Sequence, residues 1–384
     1  MGLFNIDPNW KIEKVECVAM EGERHRSAGA NARLGARGNQ MKYLVARITM
    51  GGVSGFGWTR AGREDAVKLI GKRAIELFGM DGTVLPAYRE LDYPLLDWLG
   101  QVQGKPVCEL FARKKEDPAN YRVPCYDTSL YFDDLHLSDH VAAVECIQDE
   151  VREGAAKGHR HFKIKVGRGA RHMPLLAGIS RDIAVIRGVR EAAGPGGQVM
   201  IDANNGYNLN IAKQVLSETA DCDLYWIEEA FHEDPVYYED LREWMGKEKL
   251  RTLIADGEGG TVSHQLLDWA QSGLIDVIQY DILNYSFSGW VELGRKLDEW
   301  KLKASPHNYG RAYGNYALSH LKSAVEQFQF VEWDEAVMQG MDASGYRIED
   351  GHVRVPNKPG FGLELDIDYF LRLVKEYGWS VDSR

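Results

Sequence analysis

Between residues 121 and 340 the chain repeats one unit eight times: a short β-type run, then a helical stretch. The runs are RVPCY, HFKIKV, QVMIDA, LYWIEEA, TLIADG, DVIQYDI, KASPHN and FQFVEWD. Helical segments such as SDHVAAVECIQDEVREGAAK, DIAVIRGVREAA and SGWVELGRKLDEW lie between them. Strands that alternate with helices form parallel βαβ units. Eight units in about 220 residues fit a closed (β/α)8 barrel of the TIM type better than an open doubly wound sheet. No sequence repeat accompanies them, so the repetition is architectural.

A single core rarely grows past about 250–300 residues, and this chain has 384. Residues 1–120 are the second body. There, two β-rich runs, IEKVECVAM and KYLVARITM, flank the polar stretch EGERHRSAGANARLGARGNQ, and the helical runs REDAVKLIGKRAIELF and YPLLDWLGQVQ follow. The polar stretch is too long for a tight hairpin, and loops of that length are usually functional or disordered. The expected division is an α+β capping domain at 1–120, the barrel at 121–345, and a C-terminal segment, 346–384, that returns to the cap.

The net charge of −11 argues against nucleic acid as a partner. It does not exclude a small anion, because a bound cation reverses the sign inside a cleft. The five cysteines (Cys17, Cys108, Cys125, Cys146, Cys222) form no CxxC and read as reduced thiols. The N-terminus has no apolar signal-like core, and Ile6 argues against myristoylation at Gly2. No uncharged apolar run approaches the roughly 20 residues of a membrane span. A cytoplasmic homo-oligomer with no membrane partner is expected.

Chemistry enters at the strand ends. Lys163 and Lys165, Asp202, Glu228, Glu258, Asp281, His307 and Glu332 stand at the C-terminal ends of successive runs. In an α/β barrel those ends converge on one mouth, where such enzymes place their active sites. One such residue is more often a solvated loop charge; seven successive strands ending this way are hard to dismiss. Asp202, Glu228 and Glu258 make a set of hard oxygen ligands that suits Mg²⁺, and without Cys or His they do not suit zinc. Lys163 and Lys165 alternate along one strand and so share a face. Two buried ammonium groups beside a divalent cation are expected to lower one lysine toward the neutral base form. Asp281 beside His307 would fix the ring's tautomer and provide a second base. Glu332 is placed to hydrogen-bond a developing enolate.

Taken in order, KIKVG, MIDANNGY, WIEEAF, IADGE, YDILNYSFSGW, SPHN and FVEWD resemble the mandelate racemase branch of the enolase superfamily, across the barrel and into the KPGFGLELD tail. The resemblance implies Mg²⁺ on Asp202, Glu228 and Glu258. It also implies Lys165 as one base assisted by Lys163, the His307–Asp281 dyad as the other, and Glu332 as an electrophilic partner. There are departures. The segment GRGARHMPLLAGISRD after Lys165 is long, and its Arg168, Arg171 and His172 point toward a role at the mouth. Ala230 stands where the family commonly has proline, and IADGE offers Asp256 as well as Glu258.

The implied chemistry is removal of a proton alpha to a carboxylate. Dehydration of a sugar acid to a 2-keto-3-deoxy acid is the first reading, since it needs a metal, a base and an acid together. The family's lid is the loop between the first two strands of the cap. Here it carries Arg24, His25, Arg26, Asn31, Arg33 and Arg37, donors that suit hydroxyl and carboxylate groups. His25, Arg33, Arg37 and, at the barrel, Asn204 are the substrate-binding candidates. A racemase, epimerase or cycloisomerase would use the same bases. A non-catalytic barrel with a structural ion is the reading from a different class, and it leaves the paired bases without purpose.

Overall fold

The structure, a computed structural model, describes residues 6–114, 117, 120–258 and 264–383. In the cap, β1 (Ile12–Ala28) pairs antiparallel with β2 (Gly38–Met50), and β2 with β3 (Val53–Trp58). Half of the polar stretch expected to be loop is therefore strand. Its residues keep the period of two, with Gly22 and Arg24 buried and Glu21, Glu23 and His25 exposed. Arg24 can point inward because the Asp334 carboxylate takes its Nε at 2.8 Å and its Nη2 at 2.7 Å. Only residues 29–37 remain as the connection between the two strands.

All eight expected barrel strands form: β4 (Arg122–Leu130), β5 (His161–Lys165), β6 (Val199–Asp202), β7 (Trp226–Glu228), β8 (Leu253–Asp256), β9 (Val277–Ile278), β10 (Lys303–Ala304) and β11 (Val331–Trp333). Parallel ladders join β4 through β10 in chain order, and β11 pairs back onto β4. A bridge from Ala304 to Phe328 joins β10 to the approach of β11 and closes the ring. Several helices start on a capping side chain just after a βα loop. Asp139 accepts from Ala142 N ahead of His140–Ala156, and Asn208 accepts from Ile211 N ahead of Leu209–Glu218. Asp234 caps Pro235–Glu248, with proline in the first turn. Tyr126, Met200, Trp226, Ala255, Val277 and Phe330 form a buried cluster of their own among the barrel strands.

The tail crosses the expected boundary at 345 in both directions. The strand β12 (Ala336–Met338) already belongs to the cap, pairing with Gly22–Arg24 of β1. The hairpin formed by Arg347–Glu349 and His352–Arg354 instead adds to the barrel, antiparallel to the start of β4. Trp379–Asp382 then returns to β1 at Lys14–Cys17. A 17-residue strand has room to offer one edge to two separate tail strands. Barrel, cap and tail meet at buried His320, whose Nδ1 accepts from Cys108 N at 2.9 Å and whose Nε2 lies 2.7 Å from the Tyr346 hydroxyl. Among the described residues no helix is long and apolar enough to cross a membrane.

Candidate active site

Asp202 ends β6, Glu228 ends β7, and Glu258 lies two residues past β8. Their carboxylates each offer an oxygen within 4.8 Å of the others. Asp202 and Glu228 are buried, and the buried Glu258 Oε2 has no hydrogen-bond partner. Carboxylates gathered this closely repel one another unless a cation joins them. A hard-oxygen trio with an unpartnered oxygen fits Mg²⁺. Asp256 does not join it. Its carboxyl turns to the Tyr238 hydroxyl and Gly257 N, and burial holds it well above the usual carboxylate range.

Both lysines of β5 face the barrel interior, as alternation requires. Lys163 Nζ lies 2.7 Å from Glu228 Oε1, 2.8 Å from Glu332 Oε1 and 3.7 Å from Asp202 Oδ2; Lys165 Nζ pairs with Asp202. The expected lowering of a lysine is not what the protein's own charges produce. Burial works against the ammonium, but the surrounding carboxylates outweigh it and hold both lysines above their ordinary value. Glu332 is held on both oxygens. Its Oε1 accepts from Thr128 Oγ1 at 2.6 Å as well as from Lys163, and its Oε2 accepts from Asn308 N at 2.6 Å. Burial favours its neutral form, but Lys163 and His307 prevail and keep it ionised. Glu332 thus anchors Lys163, with both of its oxygens engaged by the protein.

His307 follows β10, and its Nδ1 lies 3.0 Å from Asp281 Oδ2, with Nε2 3.4 Å from Glu258 Oε1. Burial disfavours the charged ring, yet Glu258, Glu332 and Asp281 together raise it to about 9. Lys165, Glu258, Asp281 and His307 line one pocket of about 200 Å³, with Asn31 and Arg37 from the cap connection and Arg311 from the loop after β10. Tyr131 and Tyr309 form a wall, their rings 4.9 Å apart, and the guanidiniums of Arg24 and Arg37 lie over the Tyr309 ring. A larger cavity of about 330 Å³ near Lys105 and Tyr121 holds none of the strand-end groups, so size alone does not mark the site.

The lid candidates separate. Asn31 and Arg37 reach the pocket. Arg24 is spent on Asp334, and Arg26 on Asp133 and Glu150. His25 faces away, with Nε2 2.5 Å from Glu153 and 2.8 Å from Lys157 Nζ. Arg33 pairs with Glu229 at 3.2 Å. Asn204 does not line the pocket: its backbone N–H donates to Asp202 Oδ1 at 2.9 Å and its Nδ2 to Glu229 Oε2 at 3.1 Å. Arg168 is buried between Asp134 and Asp182, while Arg171 and His172 grip carbonyls of the 29–37 connection. Reading the sequence missed Glu229, Gln279, Asn284 and Arg311. Gln279 donates to Glu228 Oε2 at 2.9 Å, and its place in YDI's strand, two positions before Asp281, was an available signal. Arg311, from the loop after β10, and Asn284, from the short helix Ile282–Tyr285, lie 3.2 Å apart and carry no pattern.

The family model described as Enolase C-terminal domain-like matches residues 147–369, more than half of the chain and nearly the whole barrel. The chain belongs to this enolase-like family. Two solved structures from Geobacillus sp. lie very near it. A galacturonate dehydratase variant complexed with Mg is 52% identical over 100% of both chains, with a TM-score of 0.97. The same enzyme complexed with D-galacturonate and 5-keto-4-deoxy-D-galacturonate is 53% identical over 98% of this chain and 100% of that one, TM-score 0.94. More distant enolase-like relatives include a D-xylonate dehydratase of Haloferax volcanii. It is 25% identical over 310 residues, 75% of this chain and 69% of the relative.

Proposed function

We propose that the protein is a Mg²⁺-dependent sugar-acid dehydratase with D-galacturonate as its substrate. One observation carries the reading: Lys165 and His307 open on the same pocket, beside the carboxylate trio. The near-full-length likeness to a galacturonate dehydratase supplies the substrate. Mg²⁺ held by Asp202, Glu228 and Glu258 would act as a Lewis acid, stabilising the charge that develops on the substrate carboxylate.

The chain's own groups handle the protons. The protein's own carboxylates favour the charged forms of both Lys165 and His307. One of them must first give up its proton, as a cation bound at the trio would favour. That group, Lys165 Nζ or His307 Nε2, then takes the proton alpha to the carboxylate. The C–H pair becomes the enolate, which collapses to break the β C–O bond. The other group gives its proton to the departing hydroxide, so water leaves and the enol tautomerises to the keto acid. Lys163, pinned by Glu228 and Glu332, adds positive charge beside the trio. Asn31, Arg37 and Arg311 donate to the sugar hydroxyls at the open side of the pocket.

A panel of uronic and aldonic acids incubated with Mg²⁺, scored for keto-acid formation against stereochemical change, tests this. Keto acid from D-galacturonate is the expected outcome; configurational scrambling without water loss would instead make the protein an isomerase. In D₂O, alpha exchange that survives in His307→Asn but not in Lys165→Ala assigns the abstraction to Lys165, and the reverse pattern assigns it to His307.

A further inference from the structure

Glu229 is buried beside the trio without being part of it, and it does not line the pocket. Strand alternation would send its side chain away from the barrel interior where Glu228 points. Its backbone instead turns left-handed, φ 42°, a conformation uncommon for a residue other than glycine. The neighbouring Asn204 and Asn205 are left-handed as well, φ 43° and 59°, which asparagine tolerates better. The turn brings the Glu229 carboxylate to Asn204 Nδ2 at 3.1 Å, Asn205 Nδ2 at 3.4 Å and Arg33 Nη2 at 3.2 Å. A backbone distortion held at a functional site is a reason to look for a task.

Arg33 belongs to the connection 29–37, and that segment is seated by shape. A Cβ on Gly206 would come within 2.5 Å of the Ala32 Cβ, and one on Gly167 within 2.9 Å. These two glycines leave the hollow that receives Ala32. Arg171 Nη1 lies 2.6 Å from Arg33 O, His172 Nε2 2.8 Å from Asn31 O, and Phe132 N donates to Ala30 O at 3.0 Å. Those bonds hold lid backbone. The Arg33–Glu229 pair is different, because it joins a lid side chain to the residue that follows a proposed metal ligand.

We propose that Arg33 and Glu229 form a latch that holds residues 29–37 closed over the pocket and links closure to the trio. This rests on reading the pocket as a Mg²⁺ site. Glu229 is covalently next to Glu228, so whatever fixes the Glu228 carboxylate also fixes the latch's anchor. By linkage, a closed lid then favours ion binding as much as the ion favours closure. Glu229 and Arg33 are positioning residues and touch no reacting atom.

Hydrogen exchange of the amides of Asn31, Arg33 and Leu34, bonded within the connection, of Arg37, bonded to Ala28 O at the end of β1, and of Phe132, bonded across to Ala30 O, reads lid opening. Arg33→Ala and Glu229→Gln should each speed it about 5–10-fold, the size expected for a half-exposed charge-assisted bond. The double variant should be no faster than the faster single one, and Arg33→Lys should retain most of the protection. Mg²⁺ alone should slow exchange in the wild type and do so less in the variants. In turnover, kcat/KM should fall while kcat holds, the reverse of losing a catalytic group. Unchanged exchange in Arg33→Ala, or effects that simply add in the double variant, would overturn the latch. Arg33 is half exposed, so its replacement does not threaten the fold. If Mg²⁺-dependent lid protection is seen but D-galacturonate is not turned over, the substrate reading fails and the latch stands.

Discussion

Asp281 Oδ2 lies 3.0 Å from His307 Nδ1, across 26 residues of chain and between neighbouring strand ends. The other Asp281 oxygen accepts from Asn284 N at 2.7 Å and caps Ile282–Tyr285, so the carboxylate is fixed from both sides. With Nδ1–H committed to Asp281, Nε2 is the nitrogen left to face Glu258 and the pocket. Asp281→Asn keeps the helix cap and loses the charge. It should lower kcat by about 10²-fold, the scale of a general acid–base contribution, with KM little changed. Steady-state kinetics check this, and a kcat near that of the wild type would remove Asp281 from the mechanism.

Chelation should abolish turnover and added Mg²⁺ should restore it. Glu228→Gln should weaken Mg²⁺ binding by at least about tenfold in a calorimetric titration. It should also loosen Lys163, which shares its charge between Glu228 and Glu332. Full activity in a rigorously metal-free preparation would sink the assignment of the trio.

Arg37 and His25 were equal candidates in the sequence, and the structure separates them. Arg37→Ala should raise KM about tenfold, as for a lost charge-assisted bond to substrate. His25→Ala should leave KM within about twofold, since neither His25 nor its partners Glu153 and Lys157 line the pocket. Equal effects from the two variants would mean that the lid meets substrate differently.

Burial lowers His320 to about 3 in the folded protein, from an ordinary value of 6.5. The unfolded chain therefore binds this proton more readily, and the contribution is complete above pH 6.5. It is lost as pH falls from 6.5 toward 3, by up to about 1.4 kcal/mol per pH unit. Urea unfolding of the wild type and His320→Gln at several pH values isolates the effect. The wild type should lose stability faster on acidification, and parallel curves would show that folding does not lower His320.

The strand ends were legible because a closed barrel leaves few places for them to go. Alternation along HFKIKV put Lys163 and Lys165 on one face, and both do face the interior. What alternation could not supply was the company they keep. Carboxylates from neighbouring strand ends hold both lysines above their ordinary value, and Glu332 itself is bonded to Lys163, Thr128 and Asn308. Arg24 was read as a lid donor because polar residues in a row look like loop. Its ion pair with Asp334, 310 residues away, is invisible until the two are folded together.

By itself the sequence determined the local patterns: eight parallel units, the helices between them, and the ionisable residues at the ends of seven of the strands. These follow from periods of two and 3.6, which a chain carries wherever it goes. Only the tertiary structure decided which of those residues meet. It closed β10 onto β11, sent β12 and the last strand to β1, and turned Asp256 onto Tyr238. It also turned Glu229 back toward Arg33 through a left-handed backbone. Such choices depend on distance and burial between segments far apart in the chain, and electrostatic energy inside a protein is set by those two quantities.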